Sequence, residues 1–149
     1  MKLTSPAFNH GETIPQKYGR DFDNVNPPLQ IQDVPVDARS LVLVMDDPDV
    51  PEMAGVPVWD HWIVFNVDPS VSDIPENWAV NGVRGAGTRG ELDYGGPRPP
   101  DKEHRYFFKL YALDNRLDLS EGVSKAEVEA AMEGHVIEQT ELMGRFAPQ

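Results

Sequence analysis

The stretch Leu41-Val-Leu-Val-Met-Asp-Asp47 constrains this chain more than any other. Successive side chains of an extended strand point to opposite faces. Leu41, Leu43, Met45 and Asp47 therefore share one face, and Val42, Val44 and Asp46 share the other. Both rows are apolar until the acids arrive at the end. A strand of that kind needs cover on both sides, as a central strand of a sheet with layers above and below. Two more segments read as strands. Trp59–Val67 places Trp59, His61, Ile63, Phe65 and Val67 on one face, with Asp60, Trp62, Val64 and Asn66 on the other. His104–Leu113 places His104, Tyr106, Phe108, Leu110 and Ala112 together, and the β-propensity of Tyr106-Phe107-Phe108 argues against a helix there.

The rest of the chain is arranged around these strands. Pro6, Pro15, Pro27, Pro28 and Pro35 break any helix in residues 1–40. Short edge strands such as Leu29-Gln30-Ile31, joined by loops, are expected there. Pro48, Pro51, Gly55 and Pro57 fix the loop before Trp59, and Asp68–Asn81 reads as an irregular connection. Gly82–Gly90 carries glycines with Arg84 and Arg89, but it lacks the Gly-Lys-Ser/Thr ending of a phosphate-cradling loop and reads as flexible loop. Ser124-Lys-Ala-Glu127 has the spacing of a capping box and predicts a helix to about Glu133, presenting Val128, Ala131 and Met132. A second helix is expected over His135–Met143, with Val136, Thr140 and Met143 on one face. The two helices are expected to cover one side of the sheet.

At 149 residues and 40% hydrophobic content, the chain is expected to form one domain, residues 1–149. It would bury roughly 68–70% of its unfolded surface. It has no cysteine, which excludes disulfides and thiolate chemistry. The start, Met1-Lys-Leu-Thr-Ser-Pro6, has no apolar run of signal-peptide length, and no segment approaches the ~20 apolar residues of a membrane span. The expectation is a cytoplasmic protein with no integral membrane association. The formal charge of −12 disfavours nucleic acid and anionic membranes as partners. Asp outnumbers Glu by 14 to 11 and only five of the bases are Lys. That balance suits a salt-rich cytoplasm, where screening relieves self-repulsion, as well as ordinary solubility.

The chemistry is concentrated near the strand ends. If the first two strands pair antiparallel, Asp47 and His61 fall at the same end of the sheet. His104 and Tyr106 project together from the apolar face of the third, beside Tyr94-Gly-Gly-Pro97. Two imidazoles and a phenol can donate to an anion, Gly96 permits close backbone approach with Pro97 as a wall, and Asp47 would favour a protonated imidazole. Each residue alone has a plainer explanation: a satisfied core histidine, an Asp-Pro turn, loop punctuation, a packed tyrosine. Together, on matching faces, they favour a binding pocket formed by Asp47, His61, Gly96, Pro97, His104 and Tyr106. No Gly-x-Ser-x-Gly elbow is present, and no serine adjoins either strand histidine. Neither catalysis nor a cofactor is expected. The alternative is a metal-assisted hydrolase using Asp47, His61 and His104 as ligands, although no His-Glu-x-x-His spacing supports it. A third reading is a scaffold role, with edge strands and an apolar helix face supporting a homodimer.

The run Leu41–Pro51 followed by Trp59–Val67 resembles the first characteristic block of the phosphatidylethanolamine-binding protein family, also called Raf-kinase-inhibitor-like. Tyr94–Leu113 resembles its second. Ser5-Pro-Ala-Phe8, Asn26-Pro-Pro-Leu29 and Gly134-His-Val-Ile137 extend the likeness to nearly the whole chain, most closely in the compact prokaryotic branch. The resemblance implies a mainly β fold, an antiparallel β-sandwich with a large central sheet, a smaller sheet and short peripheral C-terminal helices. It also implies a pocket for phosphate-like anions. Asp47, His61, His104 and Tyr106 match pocket side chains, Gly96-Pro97 matches the pocket loop, and Asp49 matches an acid with a structural turn role. Asp60 stands where eukaryotic relatives often carry histidine, which would make the rim more acidic. The long C-terminal segment that gates the pocket in eukaryotic members has no counterpart here, which counts against carrying over their kinase-inhibitor role. The implied function is a non-enzymatic protein that binds a small anion or phosphorylated small molecule, with a partner protein that binding could modulate and a homodimer as prokaryotic relatives suggest.

Overall fold

The computed structural model describes residues 1–149. Its strands are β1 (Lys2–Thr4), β2 (Leu29–Gln32), β3 (Ser40–Asp47), β4 (Trp59–Val67), β5 (Asp73–Ile74), β6 (Val83–Arg84), β7 (His104–Leu113) and β8 (Val136–Phe146), with one helix, α1 (Lys125–Met132), before the last. β3 is buried along its whole length. Its doubly apolar pattern places it in the middle of a five-stranded sheet of order β6-β4-β3-β7-β8, and a three-stranded sheet of order β1-β2-β5 packs against one face. All pairings between strands are antiparallel.

The two faces of β3 serve two cores. Leu41, Leu43 and Met45 join Trp62, Val64, Tyr106 and Phe108 against Leu3, Leu29, Ile31 and Ile74 of the smaller sheet. Val42 and Val44 join Ile63 and Phe65 against Val128 and Met132 of α1. The fold is thus a β-sandwich with a single helix on its outer side.

Strict alternation fails twice along β4, and one failure matters for the site. Met45 pairs with Trp62, but the next residue, Asp46, pairs with Asp60. His61 is the extra residue of a bulge. Trp62 belongs to the sandwich core, while Ile63 and Phe65 face α1. Without the bulge, His61 would lie on the same side as Ile63 and Phe65, away from Asp47. The single face assigned above to Trp59, His61, Ile63, Phe65 and Val67 is therefore corrected. Near the other end of the strand a second irregularity accompanies Asn66, at φ 54°, and returns Val67 to the sandwich core.

The second C-terminal helix is also corrected. Residues 136–146 form β8, which pairs with the full length of β7, from His104 opposite Phe146 to Leu113 opposite Val136. Leu142, Gly144 and Phe146 are buried in alternation. Glu, Gln, Leu and Met suit a helix in isolation, but the open hydrogen-bonding edge of β7 outweighs local propensity. Gly82–Gly90, read as loop, likewise lends Val83–Arg84 to the sheet edge beside Val64–Phe65.

The capping box forms as expected. Ser124 accepts from the Glu127 N–H at 3.2 Å, and Glu127 accepts from the Ser124 N–H at 3.3 Å. Ser124→Ala should lower stability by about 1 kcal/mol in chemical denaturation, and a loss under about 0.3 kcal/mol would mean the cap is replaced by water.

Candidate functional site

The end of β3, the start of β7 and the bulge of β4 meet beside residues 94–100 to form a cavity of about 600 Å³. Asp47 is 2% exposed and uses both oxygens. Its Oδ1 accepts from the Asp49 N–H at 2.7 Å, and its Oδ2 lies 2.7 Å from His104 Nδ1. The turn cap and the pocket acid are one residue. Burial pushes the Asp47 pKa up, against the lowering effect of His104 and the Asp49 N–H. Asp49 holds Arg105 through paired contacts of 2.8 and 2.9 Å and accepts from the Arg105 backbone as well. Arg105 brings the Asp49 carboxyl down to about 2. Its role is to fasten the loop to β7.

His104 is buried, and its second ring nitrogen is also engaged: Nε2 lies 2.6 Å from Asp101 Oδ1. A carboxylate stands on each side of the ring. The hydrogen bond to His104 holds the Asp101 carboxyl below its usual range.

His61 is part-buried and lines the cavity, and its Nδ1 lies 2.7 Å from the Gly95 carbonyl. A carbonyl can only accept, so Nδ1 carries the proton and Nε2 presents a lone pair. Burial pulls the His61 pKa down to about 4, with the Gly95 bond and the field of Asp46 opposing. This ring is a neutral acceptor at physiological pH. Tyr106 packs edge-on to His61 at 5.2 Å and is stacked with His104 at 6.4 Å between centroids. Burial, then the negative field of Asp47, raises its pKa well above the usual phenol range, so its hydroxyl stays a donor.

Gly96 and Pro97 do line the cavity. The Gly96 N–H, however, is taken by Asn24 Oδ1 at 2.7 Å, and the Gly95 N–H by the His61 carbonyl at 3.0 Å. The glycine is required by another contact: a Cβ on Gly96 would lie 2.2 Å from the Tyr18 carbonyl oxygen. Close approach of two backbones, rather than approach to a ligand, explains the residue.

The mouth is lined by Arg20, Arg89, Arg98, Phe22 and Met53, among others. Arg20 is tied to Glu91 at 2.7 and 3.1 Å and Arg98 to Asp21 at 3.2 Å, whereas Arg89 has no carboxylate partner. Asp60, expected to acidify the rim, gives its carboxylate to Lys125 at 2.6 Å. No group of three or more His, Cys, Asp or Glu side chains is arranged to hold a metal ion. No helix is long and apolar enough to cross a membrane.

Sequence reasoning missed Asp101, Asn24 and the Arg20–Glu91 pair. Only Asp101 left a trace, its place three residues before His104, and loop conformation decides whether that spacing brings two side chains together.

Comparison with known proteins gives a consistent picture. The family model described as "Phosphatidylethanolamine-binding protein" matches residues 4–147. A UPF0098 protein of Chlamydia trachomatis is 47% identical over 147 residues, covering 98% of each chain. One from Methanothermobacter thermautotrophicus is 45% identical over 152 residues with the same coverage. Among solved structures, a protein described as a phosphatidylethanolamine-binding protein homolog from Chlamydia trachomatis superposes with a TM-score of 0.95 at 46% identity, covering 99% of this chain and 97% of that one. Escherichia coli YbcL, described as a member of the mammalian family of that name, gives 0.89 at 25% identity, covering 99% and 98%.

Proposed function

This chain belongs to the phosphatidylethanolamine-binding protein family, and from that premise we propose that it is a one-domain binding protein for a phosphorylated small molecule, held without turnover. The observation that carries the reading is a pair of unpartnered groups at the cavity floor, the Tyr106 hydroxyl and His61 Nε2. One can donate and the other can only accept. A phosphate monoester bearing one proton matches both, with P–O⁻ to the phenol and P–O–H to the imidazole. The buried Asp47 nearby disfavours the dianion. A volume of about 600 Å³ exceeds what inorganic phosphate fills and leaves room for a headgroup. Binding without turnover is supported by the histidines' partners: neither hydrogen-bonds a hydroxyl that it could activate.

The reading fixes a proton count. One proton is taken up with the ligand, on the phosphate or on Nε2, because the second phosphate pKa is about 6 and His61 titrates near 4. Affinity for phosphoethanolamine, followed by calorimetry, should therefore weaken on the order of tenfold from pH 6 to pH 7.5. Tyr106→Phe should weaken it about tenfold at pH 6. Equal heats from wild type and Tyr106→Phe would sink the assignment.

A further inference from the structure

We propose that Asp101 is a tethered competitor for the anion pocket: its carboxylate occupies Nε2 of His104, and an incoming phosphorylated ligand must displace it. The inference rests on the binding reading above and names the residue that sets the affinity of that site.

The two carboxylates on His104 differ in kind. Asp47 is bound to stay, because its side chain is 3% exposed and its other oxygen caps the Asp49 N–H. That contact alone orients the ring. Asp101 belongs to the loop between Pro100 and β7, its side chain is 40% exposed, and its only side-chain partner is the imidazole. Once released, it would be solvated at little cost. His104 lines the cavity beside Tyr106 and His61, so Nε2 is a second possible donor to an anion beside the Tyr106 hydroxyl. It is already filled, and filled by the protein's own oxyanion.

A three-residue tether gives Asp101 a high effective concentration at the ring. If the contact is populated about 90% of the time, the pocket is competent for the remaining ~10%, and the apparent dissociation constant is raised about tenfold. The arrangement selects for ligands whose oxyanion outcompetes a carboxylate. A phosphate, with its greater charge and additional oxygens, meets that condition better than acetate does.

The test is calorimetric titration of phosphoethanolamine at pH 6 into four proteins: wild type, Asp101→Ala, Asp101→Asn and Glu103→Gln. Asp101→Ala should bind about tenfold tighter than wild type. Asp101→Asn, which keeps a neutral acceptor for Nε2–H and guards against a folding defect in the alanine variant, should bind about threefold tighter. Glu103→Gln removes a negative charge from the same loop, at a residue paired with Arg145 at 3.4 Å and not with His104. It should stay within twofold of wild type. Wild-type binding with no gain in either Asp101 variant would overturn the competitor role and leave the pocket reading standing. An equal gain in Glu103→Gln would also overturn it, by reducing the effect to net charge. Absence of heat from all four proteins would overturn both readings, whereas binding by the Asp101 variants alone would support both.

Discussion

Gly96→Ala should cost the protein about 3 kcal/mol and take the wall of the cavity with it. The added methyl would stand 2.2 Å from the Tyr18 carbonyl oxygen, 2.8 Å from the Arg20 nitrogen and 2.8 Å from the Gly19 carbonyl carbon. All three are backbone atoms, so no side chain can swing aside. The opposing segment is itself held in place, because Arg20 donates to the Pro97 carbonyl at 3.0 Å and Tyr94 donates its hydroxyl to the Tyr18 carbonyl at 3.0 Å. Relief of the clash must therefore break hydrogen bonds of a buried strap, including that of the Gly96 N–H with Asn24. Gly95 provides the contrast. Its added methyl would meet nothing closer than Arg20 Nη1 at 3.4 Å, the end of a flexible side chain. Gly95→Ala should stay within about 1 kcal/mol of wild type. Urea denaturation of the two variants decides the matter, and similar midpoints would refute the close-approach account. Phosphoethanolamine affinity should also fall in Gly96→Ala under conditions where it remains folded, because His61 is oriented by the Gly95 carbonyl of the same loop.

That contrast also marks how far the sequence could be read. The spans of β4 and β7 were legible because alternating apolar and aromatic rows describe a half-buried pleated surface, and β3 because both of its rows are apolar. The Ser124 cap was legible because its chemistry is local. Gly96 could be recognised as a glycine in a loop, but its reason lies in Tyr18, a contact across the fold that no local pattern encodes. His61 illustrates a subtler limit. Alternation brought it to the right end of the sheet, yet an unbroken strand would have turned it towards α1, and only the bulge places it with Asp47. β8 was misread for a related reason. Val136, Thr140 and Met143 fit a helical stripe about as well as Leu142, Gly144 and Phe146 fit a strand, and the open edge of β7 settled the choice. The trace left by Asp101 could not be read, because a three-residue spacing in a loop has no fixed geometry.

The bulge makes Lys125 the residue whose loss should reach furthest. Asp46 and Asp60 sit opposite each other across β3 and β4, each one position from a pocket residue, Asp47 and His61. Lys125 at the start of α1 binds both, at 3.2 Å and 2.6 Å, and Lys109 adds a 3.0 Å contact to Asp46. Burial by itself would lower the Lys125 pKa, but its bond to Asp60 and the fields of both acids reverse this and raise it. A raised lysine pKa means the stabilisation is fully present at neutral pH and is lost only as alkaline pH passes through the raised value. Lys125→Met removes the cation and leaves Asp46, 1% exposed with Oδ1 already lacking a partner, beside a second carboxylate. The cost should be about 3 kcal/mol, within the range for breaking a buried ion pair from one side. Adding Asp60→Asn should return more than about 1 kcal/mol of that loss, since like charges no longer face each other across the pair. A loss below about 1 kcal/mol in the single variant would mean that Lys109 alone neutralises the acids. A double variant no more stable than the single would place the cost in lost helix packing instead. Under the electrostatic account, the ammonium that holds Asp46 and Asp60 together on one face of the sheet also holds the bulge that brings His61 to Asp47 on the other.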